Sequence, residues 1–186
     1  RHAILYAYDT DLLADTIYRG RVTPVKGPLS PATWGYNPAV EDMYPLDLDR
    51  ANELLDEAGW VLNESTGIRE KDGEALAFDI NDITERRRIE FFQAQMRQVG
   101  IDVEANAISS DNLYAVTREA DTYAMASTWW GYSDPDVLRV LYHSSNIGTG
   151  FAISRYNDPA LDKMLTDALG EIDPDSRRDR YFEIQE

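Results

Sequence analysis

The 186-residue chain has no cysteine, which removes disulfides, thiolate catalysis and Cys-type zinc sites together. Lysine is almost as scarce: Lys26, Lys71 and Lys163 are the only ones, and arginine supplies the other permanent side-chain cations. Histidine is limited to His2 and His143. No apolar run approaches the roughly 20 residues needed to span a bilayer, and the opening Arg1-His2-Ala3-Ile4 is not the start of a signal peptide. The shortage of positive charge leaves a formal net charge of −16. Nucleic acid is therefore excluded as a partner, because phosphate binding needs clustered Lys and Arg.

What is present belongs to a folded protein. Hydrophobic residues make up 43% of the chain and aromatics 11%, enough to bury a core and inconsistent with wholesale disorder. The length suits one domain spanning residues 1–186. The acids are spread along the chain, so the charge is a surface property, of the kind that keeps a protein soluble in high salt. A salt-loving origin is the corresponding hypothesis; stability that fails to rise from low to molar salt would count against it. Both ends read as helix without a stop signal, so the chain is expected to be a piece of a longer protein.

Along the chain, residues 3 to 8 read as the end of a helix, and Asp9 or Thr10 caps a second that stops at Gly20. From Val22 to Pro45, prolines and glycines predict a long ordered loop pinned by Trp34 and Tyr36. Asp47 or Asp49 opens a helix with Ala51, Leu54, Leu55 and Ala58 on one face. Ile68 to Ile80 reads as a β-hairpin turning at Lys71-Asp72-Gly73-Glu74. Thr84 to Val99 predicts an amphipathic helix with Ile89, Phe92, Met96 and Val99 inward. Its Arg86, Arg87 and Arg88 read as a solvated face rather than an anion site. Strands follow at 101–108 and 123–130, with a short helix between them. Helices are expected from Pro135, Pro159 and Pro174, the second burying Leu161, Leu165 and Leu169. This alternation indicates an α/β fold, a mixed sheet layered with helices.

The stretch Thr128-Trp129-Trp130-Gly131-Tyr132-Ser133-Asp134-Pro135-Asp136 holds the candidate site. Rings placed where a strand gives way to a loop form a binding wall in many α/β domains; burial in the core is the competing role for such rings. Strand alternation lets only one of the two tryptophans face a ligand, and Trp130, beside the glycine, is favoured. Asp134 and Asp136 could pair with a cationic ligand group, could cap the next helix, or could ligate calcium; no oxygen-rich loop of calcium-site spacing surrounds them. Polar groups of the Ser144 to Arg155 loop could orient a ligand. Catalytic constellations are thin: there is no Gly-x-Ser-x-Gly, phosphate loop or Gly-x-Gly-x-x-Gly, carboxylate pairs occur by sheer number, and no metal or cofactor is implied.

The segments also carry a resemblance. Arg1-His2-Ala3-Ile4-Leu5-Tyr6-Ala7-Tyr8-Asp9, Gly27-Pro28-Leu29-Ser30-Pro31 with Trp34-Gly35-Tyr36, and Leu46-Asp47 through Glu57-Ala58-Gly59 resemble successive motifs of the extracellular solute-binding proteins of family 5. So do Gln95 to Val103, Tyr156-Asn157-Asp158-Pro159 with Leu161-Asp162, and the helix from Arg178 to Gln185. The resemblance implies most of the C-terminal lobe of a two-lobed, periplasmic-binding-protein-like (class II, cluster C) receptor. It implies no enzymatic activity. Its partners would be a peptide or other small solute, the remaining lobe of the same protein, and the membrane permease subunits of an ABC importer. It implies an extracytoplasmic location, in the periplasm or at the cell surface, with a lipoprotein-type membrane anchor in a part outside this chain. Ligand-binding residues would be Trp129, Trp130, Tyr132, Asp134 and Asp136, with Trp34 and Tyr36 as a weaker second wall. In peptide-binding members an aspartate just after the tryptophan strand pairs with the ligand's α-amino group. Here Tyr132 follows Gly131, which puts free-amino-terminus peptides in doubt. A carbohydrate-active enzyme, with paired carboxylates, and a plain interaction domain are the alternatives. The ligand class stays open: peptide, oligosaccharide, metal chelate or another solute.

Overall fold

A computed structural model describes residues 1–83, 86–119, 124–127 and 130–186. The chain divides into two compact units, Arg1–Pro24 with Asp42–Ser109 and Tyr123–Thr128, and Val25–Glu41 with Ser110–Thr122 and Trp129–Glu186.

In the first unit, short-range signals set the helix starts. Asp9 accepts from the Leu12 amide at the start of α2 (Thr10–Thr16), which follows α1 (His2–Ala7). Asp47 accepts from the Arg50 amide at the start of α3 (Leu48–Glu57). Each satisfies an amide that would otherwise be orphaned in the first turn. The expected turn at Lys71-Asp72-Gly73-Glu74 forms, with φ of 55° at Asp72 and 84° at Gly73. Two successive positive φ angles suit a right-twisted hairpin. The turn joins β2 (Ile68–Lys71) to β3 (Glu74–Ala75), and β1 (Val61–Asn63), which the sequence pattern did not mark, pairs on the other side of β2.

The hairpin is shorter than expected from the sequence. Phe78 and Ile80 belong to β4 (Ala77–Asp82), the middle strand of a separate, parallel sheet. Its neighbours are β5 (Asp102–Ala107) and β6 (Met125–Ser127), both parallel to it. The fold is thus α/β with both strand directions, but they are segregated into two sheets. The crossover helix α4 (Arg86–Gln98) buries Ile89, Phe92 and Met96, the face predicted from periodicity. They pack with Ala7, Ala51, Leu55, Ile80, Val99, Ile101 and Val103 into the core of this unit. Arg86 does extend into solvent towards Glu90. Arg88 does not: it turns inward onto Asp82, at 2.9 Å, and onto the Ser127 hydroxyl, so the expected solvated face is only partly right. A concavity of about 830 Å³ runs along the outer edge of β5, lined by residues including Asp82, Arg86, Glu90, Gln93 and Ile108. Gln93 Nε2 donates to the Val103 carbonyl at 2.7 Å, blunting that strand edge.

The second unit is built from α5 (Ser110–Arg118), α6 (Val137–Tyr142), α7 (Pro159–Gly170) and α8 (Pro174–Gln185), with the loop 25–41. Leu29, Val137, Leu138, Leu165, Ala168 and Tyr181 form its core. Asp158 and Asp173 cap α7 and α8, each with proline in the first turn, as anticipated. Leu165 is buried and Leu161 packs on the core, as expected, but Leu169 is half exposed and Ala168 takes its place in the core. Among the described residues no helix is long and apolar enough to cross a membrane.

Candidate ligand-binding site

The rings of the second unit converge. Trp130 stacks on Tyr132 with centroids 6.2 Å apart and planes 30° apart, and meets Phe151 edge-on at 4.9 Å. Phe151 in turn meets Tyr114, on α5, edge-on at 5.4 Å. The spacings are those of rings in direct contact, so the four make a continuous wall rather than a cage with a gap. Tyr132 is 48% exposed and Phe151 37%; large apolar surface is costly to leave in water unless something covers it. Trp129, the other half of the tryptophan pair, lies outside the described residues.

Tyr114 and Phe151 escaped the reading of the sequence. Both are distant from Trp130 in the chain, and neither has a periodic pattern that marks it. The only local hint was Phe151 standing alone in the polar, glycine-rich loop. That loop is ordered by a 3-10 turn at Ser144–Asn146, by the Gly150 amide on the Asn146 carbonyl, and by close turns from Phe151 to Ile153 and from Ala152 to Arg155. Arg155 has a φ of 51° and reaches back through Nη1 to the Thr117 carbonyl of α5 at 3.3 Å.

The two candidate carboxylates are engaged. Asp134 receives both terminal nitrogens of Arg177, at 2.9 and 3.2 Å, and the Asp136 amide at 2.8 Å. The Arg177 hydrogen bond holds its carboxyl below the usual range, against a smaller opposing effect of burial. Asp136 takes a bidentate grip from Arg139, at 2.9 and 2.7 Å. Planar, two-point pairs of this kind are the stronger class of ion pair. Neither acid caps a helix by its side chain as the sequence suggested: α6 begins at Val137, and Asp136 stands at its cap position without a side-chain bond. Asp134 makes a tight local turn instead.

Trp34 and Tyr36 do fix the long loop. The Arg177 guanidinium carbon lies 5.2 Å from the centroids of both Trp34 and Tyr181, a cation held between two ring faces. Trp34 stays 42% exposed. The Tyr36 hydroxyl donates to Glu41 at 2.6 Å, and this bond pushes its pKa up to about 12. Gln185 on α8 completes the anchor, accepting from the Asn37 amide and donating to the Gly35 carbonyl.

His143 and Ser145 lie within hydrogen-bond distance, Nδ1 to Oγ 2.9 Å, but Nδ1 also accepts from the Ser145 amide. Nε2 faces Thr166 Oγ1 at 3.4 Å, and that hydroxyl donates to the Asp162 carbonyl. This is a polar clasp between α6 and α7, without the base–orienter order of a nucleophilic triad. Among the described residues, no group of His, Asp and Glu side chains could hold a metal ion.

The sequence profile of "Bacterial extracellular solute-binding proteins, family 5 Middle" matches residues 1–150. The chain is 28% identical to heme-binding protein A of Haemophilus influenzae over 187 residues, covering 100% of this chain and 33% of that protein. It is 28% identical to the nickel-binding periplasmic protein of Escherichia coli over 187 residues, covering 95% of this chain and 33% of the relative. In structure it resembles the oligopeptide-binding protein AppA of Bacillus subtilis in complex with a nonapeptide. That match has a TM-score of 0.83 at 25% identity, over 99% of this chain and 38% of the other. The chain thus spans about a third of the length of the curated relatives it matches, and those relatives are named for binding rather than for catalysis. With the profile covering most of its length and the fold shared throughout, the chain belongs to the family 5 bacterial extracellular solute-binding proteins.

Proposed function

We propose that this chain is the ligand-binding part, within the C-terminal lobe, of an extracytoplasmic receptor that captures peptides or similar small solutes and delivers them to the permease of an ABC importer. The observation that carries this reading is the wall of Trp130, Tyr132, Phe151 and Tyr114. A solid aromatic face encloses the apolar part of a solute, and each stacked ring adds about 0.5–1.5 kcal/mol beyond its burial. Half-exposed Trp34 is the lesser, second surface. Relatives named for heme, nickel and a bound nonapeptide fit a family that adapts one scaffold to different solutes. The concavity beside β5 is the weaker candidate, because its lining mixes carboxylates with aliphatic side chains and holds no ring.

In this reading the rest of the protein closes over the ligand by a hinge motion, and a lipoprotein-type anchor lies outside the chain. Asp134 and Asp136 serve the wall indirectly, by fixing the turn after Tyr132; a ligand cation would have to displace Arg177 or Arg139 to use them. Mass spectrometry of material that co-purifies with the full-length protein, followed by calorimetry with the identified compound, tests the proposal. A bound peptide or small solute with a Kd of about 10 μM or tighter supports it. Turnover of a bound glycoside, or no ligand from peptide, metal-chelate and heme panels, sinks it.

A further inference from the structure

Arg155 is out of keeping with the other sheltered arginines. Arg50, Arg69, Arg88, Arg139, Arg177 and Arg178 are each at least partly buried, and each lies on a carboxylate. Arg155 is also partly buried, yet among the described residues it forms no ion pair; its guanidinium makes one hydrogen bond, to the Thr117 carbonyl. In a chain with a net charge of −16, acids are abundant, so a sheltered cation without one stands out. Capping the carboxyl end of α5 accounts for one of its five donors. It does not account for the left-handed backbone, with φ of 51°, which only glycine adopts freely.

Position gives the rest. Tyr114 and Thr117 are three residues apart on α5, so they share a helix face and lie about 4.5 Å apart along the axis. Phe151 packs on the first and Arg155 bonds to the second. The loop therefore sets one end of the aromatic wall and a guanidinium with spare donors within about one turn of each other. The acids that follow the wall in sequence, Asp134 and Asp136, are already neutralised by arginine. Arg155, by contrast, has donors to spare.

We propose that this site takes a ligand group with a planar apolar body and an anionic end, a carboxylate, with the body on the wall and the carboxylate on Arg155. The inference rests on the receptor reading above and specifies which end of a ligand is read. A carboxylate on an apolar body could be the carboxyl terminus of a peptide or a free aromatic acid. Arg155 matches it by planar, two-point hydrogen bonding.

The test uses the full-length protein and four probes in calorimetry: Ala-Ala-Phe and its C-terminal amide, 3-phenylpropionate and 3-phenylpropionamide. Either acid binding about tenfold or more tightly than its amide is the expected result, and the favoured pair distinguishes peptide from free acid. Arg155→Met should erase that preference while leaving amide affinity within about threefold, and Arg155→Lys should keep part of it. Thermal midpoints of both variants control for the α5 cap. Equal affinity of acid and amide for the native protein overturns the proposal. So does an equal loss of both in Arg155→Met, which would make the residue a structural cap, and so does the absence of saturable binding by all four probes. A parallel thermal-shift screen with a mixed peptide digest, a nickel–histidine complex and hemin separates the two failures. A shift there beside silence from the four probes removes this inference alone, whereas silence in both removes the receptor reading with it.

Discussion

Arg69 and Arg155 summarise how the two units differ. Arg69, in the first unit, is 4% exposed. It gives its guanidinium to the Val99 and Trp60 carbonyls, to Asp56 and to Asn52, all between 2.5 and 2.9 Å. It ties the hairpin to the ends of α3 and α4, and its hydrogen-bonding capacity is nearly used up. Arg155 spends one donor and stands beside exposed rings. The same contrast holds more widely: the first unit buries its rings, Phe92 lying in the core with Tyr8 edge-on to it, while the second leaves a row of aromatic faces partly uncovered. Residues whose bonding is complete carry stability, and residues with capacity left over are where recognition belongs.

Substitutions can sharpen or break this division. Arg69→Met leaves two carbonyls and Asn52 without their donor and should cost about 2–4 kcal/mol of stability, with ligand affinity unchanged; urea unfolding measures it. Gly100→Ala should cost roughly 1–3 kcal/mol. Gly100 has a φ of 78°, and an added Cβ would fall 2.8 Å from Arg69 Cγ and 2.9 Å from Leu62 Cδ1. An unchanged denaturation midpoint in either variant would break the comparison from the side of the first unit. In the second unit the expected pattern reverses. Phe151→Ala should weaken ligand binding by about tenfold, near 1.4 kcal/mol, and shift the thermal midpoint by only a few degrees.

Asp134→Asn should have the smallest effect, below about 1 kcal/mol, because its side chain is 56% exposed and solvent screens the pair. Its pH dependence has a definite sign. The Arg177 hydrogen bond holds the folded-state pKa below that of an ordinary aspartate, so its contribution is complete above the ordinary value and is lost as pH falls through the depressed one. The native protein and the variant should therefore converge in stability only as the pH falls below the ordinary aspartate range and through the depressed folded-state value. Variants that instead diverge in acid would contradict the assigned pairing.

Local chemistry was readable from the chain. Asp9, Asp47, Asp158 and Asp173 announced their helices because a cap bonds only two or three residues away, and Asp72-Gly73 announced its turn because two positive φ angles suit few residue pairs. The partition of Leu76 to Ile80 between hairpin and parallel sheet was not readable, since it depends on β5 and β6, strands supplied from far along the chain. Arg88 turned inward for the same reason: Ser127 lies 39 residues away. At the candidate site, Trp130 and Tyr132 stood out as neighbours in sequence. Tyr114 and Phe151 join them only through tertiary contacts, and the engagement of Asp134 by Arg177 spans 43 residues.

The central claim is that the aromatic wall of the second unit binds the solute. Its most direct test is a calorimetric titration of the full-length protein and its Trp130→Ala variant with the compound that co-purifies with the native protein. The account predicts at least a roughly tenfold loss of affinity with a thermal midpoint within a few degrees of native. An affinity unchanged by the substitution, in a variant that remains folded, would contradict it.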